Sequence, residues 1–178
     1  MAKAAGYSGT AKSLHWLIVL LLVAQFLAAW SMPHIGRDTP VSGVISLHFT
    51  LGVVILAVAI VRLGWRLSHG EPVPEAGVPP WQMTSARIVH RLLYLLLLLL
   101  PLLGWINASW RGMPIVMFGL ELPMLVAKRA PGWQWTGDVH TLLANYLMLG
   151  LVGLHVLAGL YHYFWRRDGV LQRMLPGT

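Results

Sequence analysis

Six of the eight histidines lie within or at the ends of strongly apolar segments of the sequence. They are His15, His48, His90, His140, His155 and His162. Ionisable side chains at membrane depth are costly and are usually functional. Imidazole binds metals through a ring nitrogen and titrates near neutral pH, so these residues are candidates for metal coordination or proton transfer. His34 and His69 fall in predicted loops, where solvation is the simplest explanation.

The six histidines divide between two depths. His48 and His140 lie just inside the second and fourth apolar segments from the same side, so they can share one level. The other four lie toward the opposite side. Depth alone allows either His15 or His90 to pair there with either His155 or His162.

The fourth segment carries histidines at both levels. His140 and His155 are 15 residues apart, which in a regular helix is roughly 22 Å and a rotation to within roughly 60° of the same face. One helix would therefore present two imidazoles, at two depths, to one interior. This arrangement favours two stacked haem b groups with histidine ligands on both sides; a single haem, or another metal or proton path, is the alternative.

Composition narrows the choice of metal. Zinc and di-iron sites normally include carboxylates or thiolates, but the only acid associated with a segment is Asp138, and there is no cysteine. The lack of cysteine also excludes disulfides, thiolate-held clusters and covalent haem attachment. Gly52 and Gly159 each follow a histidine by four residues, on the same helix face, where a missing side chain leaves room for a flat macrocycle.

Four segments are long and apolar enough to cross a membrane, in a chain that is 57% hydrophobic and 11% charged. We predict spans at about 14–31, 44–65, 86–106 and 138–165 of a single domain. No signal-type cleavage site follows the first segment, so we expect it to be retained. Short connections rich in proline and glycine predict an all-α, antiparallel four-helix bundle in the lipid bilayer.

Charge predicts the orientation. Of the 13 Lys and Arg residues, nine fall on the side of the two termini and four on the other, so the positive-inside rule puts both termini in the cytoplasm. The net charge of +7 reflects these flanking charges, and we predict no nucleic-acid partner. The four residues on the other side are Arg37, Arg111, Lys128 and Arg129.

The sequence resembles the bacterial cytochrome b561 family over nearly its whole length. The resemblance is carried by AKSLHW in span one, ISLHFTLGVVILAVAIVRLGWRL in span two, HRLLYLLLLLLPLLGW in span three and HTLLANYLMLGLVGLHVLAGLYHYFW in span four. The ending DGVLQRMLPG is also similar. The match is best to a short branch whose members carry two haems, oxidise superoxide at the periplasmic face and reduce ubiquinone.

The resemblance implies a ligand set. His15 and His155 would hold the cytoplasmic-side haem, and His48 and His140 the periplasmic-side haem. His90 and His162 would then be non-ligand histidines near the inner haem. The family pattern has one residue fewer between the two ligands of span four, so we expect a local adjustment of that helix.

The implied function is an inner-membrane superoxide:ubiquinone oxidoreductase. The four basic residues of the outer side could steer superoxide, an anion, although ordinary loop charge is an equal alternative. The second hypothesis is an electron-transfer subunit whose donor is a periplasmic redox protein. The third is a proton or metal transporter without haem.

On the inner side, a quinone could enter from lipid between spans one, three and four. His90 and His162 could hydrogen-bond its carbonyls and supply protons. The neighbours predicted at the same level are Ser13, Trp16, Arg87 and Trp165. Arg62 and Arg66 could bind haem propionates; snorkelling to the membrane interface is an equal alternative for the arginines.

Overall fold

The computed structural model describes residues 6–36, 39–41, 43–73, 75 and 77–176. Within these residues, four helices are long and apolar enough to cross a membrane. They are span one, Gly9–Ser31; span two, Gly43–His69; span three, Pro80–Arg111; and span four, Thr136–Arg166. The predicted all-α architecture with four spans is confirmed, and each helix extends beyond its predicted bounds at one or both ends.

The helix ends follow from local sequence. The Ser8 side chain caps span one by accepting a hydrogen bond from the Ala11 amide at 3.3 Å. Pro80 starts span three, where its missing N–H costs nothing. Gly112 ends that helix in the left-handed region, with φ 73°, and the alkyl chain of Lys128 packs where a Cβ would otherwise stand.

Consecutive spans pack side by side, and span four packs mainly against span three. The central core takes residues from every span: Ile18, Ile55, Ala59, Leu96, Leu97, Leu100 and Met148. Many large apolar side chains remain exposed on the outside of the bundle, as expected for a surface that faces lipid. Span four contributes few buried side chains, so the interior beside it keeps room for other groups.

We call the end of the bundle with the chain's terminal segments the inner end, and the opposite end the outer end. The outer connection between spans three and four contains a two-stranded hairpin, Val116–Met117 with Leu120–Glu121, which the sequence analysis did not predict. Met113 and Ile115 are buried beside it and anchor the connection to span three.

Span four is not a regular α-helix. It is π-helical over Leu143–Met148 and again over His162–Arg166, with α-helix between and before these segments. A π turn contains one more residue than an α turn. It therefore changes the helix face on which all later side chains lie. The regular-helix geometry assumed from the sequence is therefore wrong for the stretch between His140 and His155.

The chain after span four folds back onto the inner end. Arg167 reverses it in the left-handed conformation, with φ 53°, and a 3₁₀ turn follows at Gln172–Met174. The Trp16 indole N–H donates to the Met174 carbonyl at 2.8 Å, and the Arg173 guanidinium donates to the Val73 carbonyl at 2.6 Å. These bonds fasten the C-terminal segment to span one and to the loop after span two.

Candidate functional site

A cavity of about 430 Å³ lies between the spans toward the outer end. His48 of span two and His140 of span four both line it. Their ring centroids are 6.1 Å apart and the ring planes are 80° to each other. The two histidines that the sequence assigned to one level are therefore adjacent.

The position of His140 is fixed by span three. Its Nδ1 lies 2.9 Å from the Leu100 carbonyl. Because a carbonyl only accepts, Nδ1 is the donor and Nε2 keeps its lone pair. A Cβ at Gly104 would lie 3.2 Å from His140 Cε1, so this glycine lets the ring approach the helix. Such a second contact is how proteins orient a metal-binding imidazole.

His48 shows the same tautomer. Its Nε2 lies 3.4 Å from the Gln25 side-chain nitrogen, an amide donor, so Nε2 accepts. Its Nδ1 is buried and has no hydrogen-bond partner among the described residues. His48 and His140 thus both carry their lone pair on Nε2, and that of His48 accepts from Gln25.

The ring separation can be compared with the centroid–centroid distance expected when one metal ion is held between two imidazoles. With metal–nitrogen bonds of about 2.0 Å and about 1.1 Å from nitrogen to ring centre, the centroids would be about 6.2 Å apart. The 6.1 Å between His48 and His140 agrees with this value. No group of three or more His, Cys, Asp or Glu able to hold a metal occurs within the described ranges. A metal at this pair therefore needs a ligand such as a porphyrin that brings its own donors.

A second histidine group lies toward the inner end of the bundle. His15 and His155 have ring centroids 6.1 Å apart at 77°, whereas His90 and His155 are 5.2 Å apart at 68°. Only the first separation matches the distance for one ion between two rings. The geometry thus favours His15 over His90 as the partner of His155, a choice that depth in the sequence left open.

The π segment Leu143–Met148 lies between the two histidines of span four. It absorbs one residue, so His140 and His155 meet their partners on spans two and one despite the longer spacing. This is the local adjustment that the family resemblance led us to expect.

The predicted outer basic residues do not form one cluster. Arg111 lines the outer cavity and donates to the Ile35 carbonyl at 3.3 Å. Lys128 packs along Gly112, and the Arg129 guanidinium lies 4.9 Å from the Trp110 ring centroid. Arg37 lies outside the described residues. Arg111 is therefore the one of these three described cations that faces the cavity.

Arg62 and Arg66 converge on Tyr94 of span three. Arg62 donates to the Tyr94 hydroxyl at 2.9 Å and to the Ala11 carbonyl at 3.2 Å. The Arg66 guanidinium lies 5.4 Å from the Tyr94 ring centroid and pairs with Glu71. Both line a smaller cavity of about 330 Å³ at the inner end.

His162 does not join the ring contacts of the inner histidine group; its Nδ1 lies 2.6 Å from the Asp168 carboxylate. Arg166 Nε donates to the same oxygen at 3.1 Å, and the Val170 amide donates to the other at 3.2 Å. Burial opposes the charge on Asp168, but these hydrogen bonds prevail and the pKa of Asp168 is lowered. Asp168 is thus an anion in contact with His162.

The remaining inner residues named from the sequence make mostly local contacts. Ser13 and Arg87 are exposed, and Arg87 donates to Met83 and Thr84 of its own helix. Trp165 is exposed, and Trp16 binds the C-terminal segment. A Cβ at Gly159 would meet Leu171 at 3.6 Å, whereas Gly52 lines the outer cavity. The roles assigned to these residues stay predictions.

Several site residues escaped the sequence analysis: Gln25, His34, Gly104, Asn107 and Asp168. Gln25 and Asn107 line the outer cavity with buried carbonyl oxygens that have no partner among the described residues, and His34 lines its mouth. Gln25 and Asn107 could have been noticed as amides in apolar spans. Nothing in the sequence showed that Asp168 would turn back to His162.

The chain matches known proteins over nearly its whole length. The sequence profile of the family described as prokaryotic cytochrome b561 matches residues 6–177. The chain is 30% identical to the probable superoxide oxidase CybB of Yersinia pestis, over 96% of each chain. It is 30% identical to cytochrome b562 of Cereibacter sphaeroides, over 98% of each. It is 28% identical to cytochrome b561 homolog 2 of Escherichia coli, over 95% of this chain and 90% of the relative.

The chain therefore belongs to the prokaryotic cytochrome b561 family. It is a multi-pass membrane electron-transfer protein of the oxidoreductase type, in a family that binds haem b. The third hypothesis, a transporter without haem, has no support from these relatives.

Gly104→Val should reduce haem binding, because the new side chain would occupy the space of the His140 ring. We expect the haem b content per protein, measured as the pyridine haemochrome, to fall to about half. Gly64→Val is the matched control, since a Cβ at Gly64 meets nothing within 4 Å. Equal haem content in the two variants would contradict this role of Gly104.

The π segment predicts opposite effects of deletion and insertion at one point. Deleting Tyr146, which is 75% exposed, should let the segment become α-helical and keep His155 in register with His140, with haem content unchanged. Inserting an alanine after Tyr146 should rotate His155 by about 100° and remove about half of the haem. Haem loss in the deletion variant alone would show that the π segment does not absorb the extra residue.

Proposed function

We propose that this protein carries two haem b groups, and that His48 and His140 would hold the outer one and His15 and His155 the inner one. The observation that carries the proposal is the shared 6.1 Å ring separation of the two pairs. Bound haem supplies a reversible one-electron iron couple. Gly52 would make room for the outer macrocycle, and Arg62 and Arg66 would bind inner propionates.

The proposed donor is superoxide, oxidised at the outer end. Arg111 faces the cavity that contains His48 and His140, so it can attract an anion toward this pair. Both histidines would be engaged in holding the haem, which would supply a one-electron acceptor for superoxide. The name of the Yersinia pestis relative, a probable superoxide oxidase, supports this donor.

The proposed acceptor is ubiquinone, bound from lipid at the inner end. His162 offers Nε2, because its Nδ1 is bonded to Asp168. His90, beside His155, could contact the same ligand. The charge bias of the connections supports a bacterial inner membrane with both termini in the cytoplasm.

The second candidate is a cytochrome subunit that accepts electrons from a periplasmic redox protein. It is favoured by the apolar tip of the outer hairpin, where Phe118 is 91% and Leu120 is 72% exposed. Exposed apolar groups of this kind can dock a partner protein.

Ligand variants test the haem assignment. His15→Ala should lose the inner haem and retain about half of the total haem b, because His155 loses its opposite ligand. His90→Ala is the matched control and should keep both haems. The measurement is haem stoichiometry together with the low-temperature α-band spectrum. Loss of haem from the His90 variant, with none from the His15 variant, would reverse the assignment.

Stopped-flow spectroscopy of the protein in liposomes tests the activity. Superoxide pulses should reduce the haems faster than superoxide dismutates, and added ubiquinone should reoxidise them. Arg111→Gln should slow haem reduction about tenfold at low salt and less at high salt, because screening weakens steering. Arg129→Gln, on the same side but stacked on Trp110, is the control. Haems that superoxide fails to reduce, but that a co-purifying protein reduces, would favour the second candidate.

A further inference from the structure

We infer that Asp168 is a positioning residue that holds His162 as a proton donor to the quinone. The inference rests on the proposed function, because it concerns the protons that quinone reduction requires. It assigns a role to the C-terminal segment, which lies beyond the last span.

The contacts determine which atoms of His162 and Asp168 donate and which accept. The Asp168 carboxylate accepts from His162 Nδ1 at 2.6 Å, which leaves Nε2 as the nitrogen available to a ligand; Nε2 accepts in the neutral ring and donates when the ring carries a second proton. The two side chains are only 12% and 14% exposed, so water screens the pair weakly. The Asp168 carboxylate therefore fixes the orientation of the His162 ring and the tautomer of its neutral form.

Asp168 is held in place from several sides. Arg167 turns the chain, Gly169 packs on the Glu75 carboxylate, and the Val170 amide bonds to the second Asp168 oxygen. Arg166 bonds both to Asp168 and, at 2.7 Å, to the Gly77 carbonyl. The carboxylate is therefore fastened to span four and to the loop before span three.

The charged and titratable groups packed around the pair set its proton affinity. Arg166 lies 3.1 Å from Asp168 and reduces the effect of its charge. The Tyr161 ring lies edge-on, with its centroid 5.8 Å from that of His162. Glu75 is paired with Arg173 at 2.5 Å, so its charge is compensated.

The chemistry balances with the proposed donor and acceptor. Two superoxide ions give two O₂ and two electrons, and these electrons with two protons convert one ubiquinone to ubiquinol. For each proton, the Nε2–H bond of His162 breaks, an O–H bond forms on the quinone, and His162 takes a replacement from inner-side water. Asp168 stays ionised throughout.

The test is the pH dependence of haem reoxidation by ubiquinone, measured from pH 5.5 to 9.5 with pre-reduced holoprotein in liposomes. The wild-type rate should fall as the pH rises, because proton delivery to the quinone becomes slower. Asp168→Asn removes the carboxylate charge, so the midpoint of this fall should move about one pH unit lower. The rate at pH 8 should drop about tenfold and recover in acid. Asp168→Glu should restore most of the profile.

Arg166→Gln should shift the pH midpoint in the opposite direction. This variant provides a second test if Asp168→Asn does not fold. Removal of the cation leaves the Asp168 charge uncompensated, so the midpoint should move upward. Glu121→Gln on the outer hairpin is the control for a carboxylate-to-amide change and should leave the profile unmoved. Haem content and reduction by superoxide should be normal in every variant.

The outcomes distinguish a failure of the proposed function from a failure of the inference about Asp168. Wild-type haems that ubiquinone does not reoxidise would overturn the proposed function and this inference together. Normal wild-type reoxidation, with midpoints unshifted in both the Asp168→Asn and Arg166→Gln variants, would overturn the inference alone.

Discussion

The structure depends on the cost of placing imidazole rings at membrane depth. A polar ring in hydrocarbon must find a partner or bind a ligand. The His140 Nδ1 is hydrogen-bonded to the Leu100 carbonyl. In His48, Nε2 is hydrogen-bonded to the Gln25 amide, whereas Nδ1 has no partner among the described residues. Both rings face the interior, and span four leaves space there by packing mainly against span three. The arrangement of the bundle thus follows from the need to enclose these rings and what they bind.

Under the proposed function, the two histidine levels would give an electron a route between the membrane faces. Both pairs have the same ring separation, although one joins spans two and four and the other joins spans one and four. Span four is the shared wall of both. Its π segment absorbs one residue between His140 and His155. Both histidines therefore reach their partners, which a uniform α-helix of the same length would not align in the same way.

Much of this fold could be predicted from the sequence, because apolar length alone determines membrane spans. The outer pair also followed from the depths of His48 and His140. The choice between His15 and His90 did not, since both lie at similar depth and only ring distances distinguish them. The hairpin, the π segments and the approach of Asp168 to His162 depend on tertiary packing, which local patterns do not encode.

The fold-back of the C-terminal segment has a consequence for biogenesis. The C-terminal segment follows span four in the chain. It contains Asp168 and the residues that bind Trp16 and Val73. They can take their positions only after all four helices have been inserted by the translocation machinery. The interior between the helices is therefore complete before the inner end is closed, which leaves an interval during synthesis when this end stays open to solvent and to lipid.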